Sequence, residues 1–279
     1  MSAARVSNGA WTALKLGITA LVILPFVFIL LLSFRSMADI YRNPLGFTGN
    51  WVPGNFVRAW NGPPGGTGFS NYFVNSVLVV LVAVVIAALF GALAAYFVSL
   101  LPARWRSRVL MIPLIATIVP TIALLIPFFQ MFSAWGLMNS PVAVGVLYAG
   151  LCLPMTVLIL HAFFVDFPGE LREAAALDGL GHVRTFFTIV VPLSKPSLLA
   201  VSLLNLIWVW GETQVAIVLL QKATSQTIPV GVLTFQSSFM SDLGPIFAGL
   251  SLATVPVLIV YFVFNKTISR GVSMGGTFR

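Results

Sequence analysis

Long apolar runs are the feature that most constrains what this chain can fold into. Each of six runs has about 19–30 residues, and an α-helix rises about 1.5 Å per residue, so each run can cross a hydrocarbon core of about 30 Å. The runs cover residues 16–34, 72–101, 109–132, 141–164, 196–220 and 245–268. The sequence therefore predicts an all-α membrane protein with six transmembrane helices, organised as a single transmembrane domain over residues 1–279.

The scarcity of charge excludes an ordinary soluble domain. Only 8% of the residues are charged and 59% are hydrophobic, whereas a soluble domain carries roughly a quarter charged residues. The formal charge of +8 does not indicate a nucleic-acid partner, because the basic residues lie between the apolar runs and not in one patch. We expect membrane lipid, and no nucleic acid, around this chain.

The distribution of basic residues predicts the topology. Eleven of the 15 Lys and Arg residues lie at the amino end, in the loops 102–108 and 165–195, or in the carboxyl tail, and the other four lie on the opposite side. Because cytoplasmic loops carry the excess of Lys and Arg, we expect both termini in the cytoplasm. The outer loop, about 35–71, is rich in Pro and Gly and predicts irregular backbone; it either meets an external partner or only connects two spans.

Two apolar runs carry patterns that predict how their helices pack and bend. Ala83, Ala87, Gly91 and Ala95 recur every fourth residue, which places four small side chains on one helix face and favours close helix packing in lipid. Pro113, Pro120 and Pro127 recur every seventh residue of the third run. Each proline removes a backbone hydrogen bond, so we expect a kinked helix there.

One acidic residue is predicted to lie within a span. Glu212 belongs to the fifth run, and an acid at that depth is expected to face protein or a water-filled path. It either lines a pathway or makes a hydrogen bond between helices, to Asn205, Gln214 or a neighbour. Trp208 and Trp210 lie close to Glu212 in the sequence. The candidate pathway-lining residues are Asn205, Trp208, Trp210 and Glu212.

No catalytic constellation is present in the sequence. Neither His161 nor His182 belongs to a His-Glu-x-x-His pattern, and no Gly-x-Ser-x-Gly or phosphate-binding loop occurs. The one cysteine, Cys152, excludes a disulfide within the chain and a cysteine pair for a metal. We expect no enzyme activity, no metal and no cofactor in this chain, so active transport would draw on an external energy source or an ion gradient.

A polar segment between the fourth and fifth runs predicts a helix-turn-helix. Residues 169–181 favour a short helix that Gly179 and Gly181 end, and a second helix, about 183–191, stops at Pro192. The segment is too short and too charged to cross a bilayer. It is either an interfacial amphipathic loop or a rigid helix that fits a groove on a soluble partner.

The same segment resembles the signature loop of bacterial ABC importer permeases. Glu173-Ala174-Ala175 is followed after three residues by Gly179, and after nine more by Ile189-x-x-Pro192. The residues that also fit the family pattern are Asp178, Phe186 and Pro196, and those that depart from it are Leu180 and Val191. The resemblance extends to the stretch 71–80, to Trp210-Gly211-Glu212, and to a glycine-bearing tail similar to that of the shorter maltose-type permease.

The resemblance implies a mechanism and a set of partners. This permease would pair with a second, homologous permease, bind two copies of an ABC ATPase that hold ATP and Mg, and receive solute from an extracytoplasmic binding protein. The ATPase-coupling residues that it implies are Glu173, Ala174, Ala175, Asp178, Gly179, Phe186, Ile189 and Pro192. The family serves sugars, oligosaccharides and glycerol phosphates. The alternatives are an ion-gradient-driven secondary transporter, a membrane enzyme and a structural scaffold.

Overall fold

The structure, a computed structural model, describes residues 3–43, 45–46, 49–238 and 242–274. Over these ranges the chain is helical, and its only extended pairing is an isolated bridge between Arg35 and Trp51. The helices are α1 (Ala3–Ser33), α2 (Met37–Arg42), α3 (Gly54–Asn61), α4 (Phe69–Ser99), α5 (Ala103–Ile118), α6 (Leu125–Ala134), α7 (Pro141–Val165), α8 (Gly169–Leu177), α9 (His182–Thr185), α10 (Val191–Leu193), α11 (Lys195–Gly211), α12 (Gln214–Leu219), α13 (Ile228–Ser238) and α14 (Leu243–Met274). The prediction of an all-α chain is confirmed.

Several helices are long and apolar enough to cross a membrane. Among the described residues, three do so as single helices, namely Trp11–Ser33 within α1, Phe69–Ser99 and Pro141–Val165. Two bent pairs raise the number to five if each pair is one span. The last predicted run falls in α14, whose described apolar part, Leu243–Ile259, is shorter. All six predicted runs lie on helices, and the count of six spans stays a prediction.

The third predicted run is not one helix, which corrects the expectation of a merely kinked span. The helices on either side of residues 119 and 120 meet at 85°. Val119 is extended, with φ −69° and ψ 117°, as the residue before a proline prefers. Pro120 then precedes a short 3-10 helix, Thr121–Leu124, that leads into α6. Pro113 lies inside α5 without ending it.

Two compact units are formed by contacts within the chain. One contains Met1–Ser70 with Gly231–Pro256, and the other contains Asn71–Val230 with Val257–Arg279. The single domain expected over 1–279 stays a prediction.

The outer segment of the first unit is more ordered than predicted. Instead of irregular backbone alone, it contains α2 and α3. The Asn55 side-chain amide is buried and donates to the backbone carbonyls of Ser33 (2.9 Å) and Arg35 (3.0 Å), which satisfies carbonyls left free after α1. Proline and glycine content alone does not reveal these long-range hydrogen bonds.

The second unit is held together by small residues on α4. Ala83, Ala87 and Ala95 are completely buried, and a Cβ added at Gly91 would lie 2.4 Å from the Thr156 methyl carbon on α7. This confirms that the four-residue repeat is a close-packing face, as small residues favour between helices in membranes.

Candidate functional site

The turn after α8 is built around a glycine in the left-handed conformation. Gly179 has φ +75°, its N–H donates to the Ala176 carbonyl (3.0 Å), and the Leu180 N–H donates to the Ala175 carbonyl (2.9 Å). This pair of hydrogen bonds is the Schellman arrangement that ends helices. Gly179 is therefore the helix stop, as predicted. Gly181 is not a second stop: its φ is −71° and it begins α9.

The second helix of the segment does not end at Pro192, which corrects the predicted boundary. α9 leads through a wider π-helical turn, Phe186–Val190, into α10, which ends at Leu193. A proline ring clashes with the carbonyl four residues before it in a regular α-helix. The wider turn lies immediately before Val191 and Pro192 and gives the ring room, so the chain continues past the proline.

One face of this segment is buried against the helix bundle. Ala175 and Phe186 are each 1% exposed, and the Phe186 ring packs at 5.3 Å between centroids against Tyr96 near the end of α4. Ile189 is half-buried and Pro192 is exposed. The segment is thus fixed to the helix bundle through one face.

The tip of α8 is exposed in the described part of the chain. Glu173, Ala174, Asp178 and Gly179 are exposed, and the Leu177 side chain is 90% exposed at the last position of α8. An exposed leucine beside an acidic residue at the tip of a rigid helix is suited to insertion into an apolar groove. Sequence reasoning missed Leu177, although an apolar residue between three alanines and an acid was a visible signal.

A cavity of about 520 Å³ separates the two arms of the helix-turn-helix from the end of α4. Tyr96 and Leu100 form its wall on α4, and Arg172, Glu173 and His182 bring charged or polar groups from the other side. The Tyr96 hydroxyl is buried and has no hydrogen-bond partner in the described residues. The cavity leaves the tip of α8 attached mainly through Ala175 and the second helix.

The second predicted group lies at a break in the fifth run. Glu212 is not inside a helix, which corrects its predicted placement: α11 ends at Gly211 and Glu212 is extended, with ψ 127°. Its carboxylate accepts hydrogen bonds from the backbone N–H groups of Val215 (3.0 Å) and Ala216 (3.3 Å) at the start of α12. It also accepts one from the Tyr148 hydroxyl of α7. The acid therefore supplies acceptors where the helix is broken, as helix starts in lipid require.

The four candidate pathway residues separate into two groups. Glu212 and Trp208, which is 42% exposed, line one open cavity of about 560 Å³ together with Thr121 at the other broken run. Trp210 instead packs edge-on against Phe73 (6.2 Å between centroids), and Asn205 is buried and donates to the Thr156 hydroxyl at 2.9 Å. Sequence reasoning missed Tyr148 and Thr121, although a buried acid required a donor and Tyr148 is the one phenol in its run.

A metal centre has no candidate in the part of the chain that the structure describes. No three His, Cys, Asp or Glu side chains are grouped closely enough there to hold an ion. The cavity at Trp208 offers instead an aromatic face, a hydroxyl and a carboxylate. Pockets that bind small molecules combine apolar and aromatic surface with a few polar groups of this kind.

Comparison with known proteins identifies the family. Residues 87–274, from the middle of α4 to the end of α14, match the family described as binding-protein-dependent transport system inner membrane component. The chain belongs to this family. It is a non-catalytic, multi-pass permease subunit of an ABC importer, located in the inner membrane. The resemblance drawn from Glu173 to Pro192 is thereby confirmed.

Relatives match the permease over most of their length. It is 30% identical over 263 residues to the diacetylchitobiose uptake system permease protein NgcG of Streptomyces coelicolor, covering 94% of this chain and 85% of that protein. It is also 30% identical over 277 residues to the maltodextrin transport system permease protein MdxG of Bacillus subtilis, covering 99% and 98%.

A solved structure shows the same fold. The permease superposes with a TM-score of 0.77 on a chain from the crystal structure of a bacterial ABC transporter involved in the import of the acidic polysaccharide alginate. The match covers 95% of this chain and 98% of that chain at 23% identity. The fold of an ABC importer permease is therefore the fold of this chain.

Proposed function

We propose that this permease forms, with a second homologous permease, the membrane pathway of an importer for a sugar or sugar-like solute. Two ABC ATPase subunits, which hold ATP and Mg, bind its α8 tip from the cytoplasm, and an extracytoplasmic binding protein delivers the solute. Both termini of the permease lie in the cytoplasm, in agreement with its distribution of basic residues. This chain itself carries no cofactor.

The observation that carries the coupling role is the exposed tip of α8. Leu177 projects from a helix that is closed by the Gly179 turn and anchored through Ala175 and Phe186. A rigid lever of this kind transmits a displacement of its tip to α4 and α11, because packed helices move as bodies rather than deforming. The proposed coupling residues are Glu173, Ala174, Ala175, Asp178, Gly179, Phe186, Ile189 and Pro192, and the exposure of Leu177 leads us to add it to them.

The roles of these residues differ by their position. Glu173 makes the polar contact at the ATPase groove, Ala174 permits close approach, and Leu177 fills an apolar recess. Ala175 and Phe186 hold the tip to the bundle. ATP-driven closure of the ATPases then favours the permease conformation that matches their closed state, which is alternating access by differential binding.

The solute class is supported by the relatives and by the cavity beside Glu212. The relatives named above carry diacetylchitobiose and maltodextrin in their names. The exposed Trp208 ring gives an apolar face and the Glu212 carboxylate gives an acceptor, which together suit the alternating apolar and hydroxyl surfaces of a sugar. We propose that Trp208, Glu212 and Thr121 line the pathway, and that Asn205 and Trp210 support it from neighbouring helices.

Removal of the Leu177 side chain tests the coupling role. In the purified complex, Leu177→Ser is expected to weaken ATPase binding about tenfold or more, because burial of a leucine is worth about 1.5–3 kcal/mol. The unfolding midpoint of the permease should stay unchanged, since the side chain makes few contacts of its own. Val183→Ser, which truncates another exposed apolar side chain of the segment, is the matched control. Equal ATPase binding by wild-type and Leu177→Ser complexes would refute the assignment.

Reconstituted vesicles distinguish this proposal from an ion-driven transporter. Uptake of a labelled oligosaccharide should require ATP on the ATPase side and the binding protein on the other, and it should survive collapse of the ion gradients. Uptake that continues without ATP and stops when the gradients collapse would establish the alternative.

A further inference from the structure

An apolar groove lies between α4, α5 and α7, on the far side of α7 from the Glu212 break. It has a volume of about 490 Å³ and is lined only by apolar residues. Two prolines, Pro113 and Pro154, and one glycine, Gly150, keep its middle wide, because a Cβ added at Gly150 would have no atom within 4 Å. The groove is wide enough for a hydrocarbon chain.

One end of this groove is basic. On α7, His161 follows the groove residue Val157 by four positions, so the two share a helix face. On α5, Arg106 precedes the groove residues Val109 and Pro113 by three and seven positions, which again gives one face. The helices α5 and α7 pack against each other along this groove, with Val109 and Val157 both in its lining. Both residues thus lie at the same end of the groove, one helical turn beyond its apolar lining.

Both side chains have unused hydrogen-bonding capacity. The His161 Nε2 atom is buried and has no hydrogen-bond partner among the described residues. Among the described residues, Arg106 makes no ion pair or hydrogen bond through its guanidinium, and the ion pair formed there, Arg58–Asp242, belongs to the other compact unit. A buried polar atom without a partner costs free energy, so an anionic group bound at this point would relieve it.

An exposed tryptophan completes the basic end. Trp105 is 53% exposed and lies between Arg104 and Arg108, whose guanidinium carbons are 6.0 and 5.3 Å from its ring centroid. Tryptophan is enriched at the level of lipid headgroups, and arginines beside a membrane-spanning helix attract anionic lipids. From Arg104–Arg108 to the groove, the surface of α5 therefore changes from positively charged to wholly apolar.

We propose that this surface, the α4–α5–α7 groove with its Arg106 and His161 end, is a binding site for an anionic glycerophospholipid. The lipid phosphate accepts hydrogen bonds from Arg106 and from His161 Nε2, the glycerol region lies against Trp105, and one acyl chain occupies the groove past Gly150. A second permease is the rival occupant. Charge complementarity favours the lipid, because only an amphipathic molecule with a negative head satisfies the arginines and the apolar groove together.

Two variants separate the headgroup contact from the acyl contact. Arg106→Gln removes the charge, and Lys15→Gln, which removes one exposed charge from the start of the first apolar run, is its control. Gly150→Phe places a ring in the groove, where an added Cβ has no atom within 4 Å. Its control is Gly17→Phe, at another helix glycine where an added Cβ has no atom within 4 Å. Arg106→Lys keeps the charge and should restore binding in part.

The experiment measures lipid retention and thermal stability of the complete transporter complex. Native mass spectrometry with phosphatidylglycerol and phosphatidylcholine of equal acyl length should show retained phosphatidylglycerol, and that lipid alone should raise the unfolding midpoint. Arg106→Gln should weaken the preference for phosphatidylglycerol over phosphatidylcholine about fivefold, because one basic residue near an anionic surface contributes about 1 kcal/mol. Gly150→Phe should abolish retention of both lipids at this site, and both controls should behave as wild type.

Three results would overturn the proposal. These are equal retention of the two lipids by the wild-type complex, unchanged phosphatidylglycerol retention in Arg106→Gln, and crosslinking of a cysteine at position 150 to the second permease. The proposal rests only on the permease being a membrane protein, so a failure of lipid binding leaves the ATPase-coupling role untouched.

Discussion

The Tyr148 hydroxyl on α7 donates a hydrogen bond to the Glu212 carboxylate, which in turn holds the first turn of α12. A tyrosine that is 1% exposed thus fixes the one acid of the fifth run at the point where the helix breaks. The break is part of the packed structure of the second unit, because Tyr148, Val215 and Ala216 all belong to one buried cluster.

Removal of the Tyr148 hydroxyl should destabilise the permease. Tyr148→Phe deprives Glu212 of its side-chain donor and is expected to cost about 1–2 kcal/mol, the range found for side-chain hydrogen bonds between model transmembrane helices. The unfolding midpoint of the purified complex measures this. Tyr96→Phe is the control, since that hydroxyl is buried without a partner in the described residues and its removal should be neutral or stabilising. Equal losses for the two variants would contradict the assignment.

A methyl group at Gly91 should disrupt the packing of α4 on α7. Gly91→Ala places a Cβ at 2.4 Å from the Thr156 Cγ2 atom, and overpacking of this kind costs about 1–3 kcal/mol. Gly17→Ala, where the added Cβ meets nothing within 4 Å, should be neutral or slightly stabilising because alanine favours helix over glycine. Thermal unfolding of both variants, or the yield of complex extracted in detergent, distinguishes the two outcomes. A Gly91→Ala protein as stable as the wild type would contradict the close contact between α4 and α7.

The left-handed turn at Gly179 should couple ATP hydrolysis to uptake. Most other residues are strained by about 1–2 kcal/mol at φ +75°, aspartate less than most, and under the proposed coupling role an aspartate would also add a negative charge at the ATPase contact. Gly179→Asp should therefore insert and assemble but lose uptake while ATP hydrolysis continues. Gly181→Ala, at an ordinary φ of −71°, should transport normally. Parental uptake by purified Gly179→Asp complexes would exclude the turn from the coupling path.

The outer segment should lose a local contact in acid. A hydrogen bond from the Ser36 hydroxyl (2.7 Å) and one from the Asn50 N–H (3.1 Å) hold the pKa of Asp39 below its ordinary value of 3.8. A carboxylate with a lowered pKa stabilises the fold above that ordinary value, and the contribution is lost as the pH falls through the folded pKa.

Amide hydrogen exchange at Asn50 measures this effect. After correction for the intrinsic rate, protection should fall only at a pH below the ordinary value, and Ser36→Ala should move the loss to higher pH because it removes the largest cause of the shift. Asp39→Asn should show no such titration. Protection that is independent of pH in the wild-type protein would contradict the assignment.

The sequence was sufficient for the helical class, the small-residue face and the helix stop. Ala83, Ala87 and Gly179 are local signals, because burial of a helix face and a positive φ each follow from a few neighbouring residues. The breaks in the apolar runs were harder to predict from the sequence. Pro120 was visible but its 85° bend was not, because the angle depends on what α6 packs against.

Hydrogen bonds between distant residues could not be predicted by examining each apolar run separately. Glu212 was expected inside a helix, but it lies where the helix ends and is hydrogen-bonded to Tyr148, 64 residues away. Pro192 was expected to stop a helix, and a π-helical turn accommodates it. In the first case a tertiary hydrogen bond, and in the second a change in backbone geometry, differs from what the local sequence predicts.

Crosslinking from position 177 tests whether the α8 tip is the contact with the ATPase. Cys152 is the chain's one cysteine and is buried, so a Leu177→Cys complex offers a single accessible thiol on the permease. We expect a crosslink to the ATPase subunit in the assembled transporter, and no labelling by a membrane-impermeant reagent added outside cells. Labelling from outside, or the lack of any ATPase crosslink in an active complex, would contradict it.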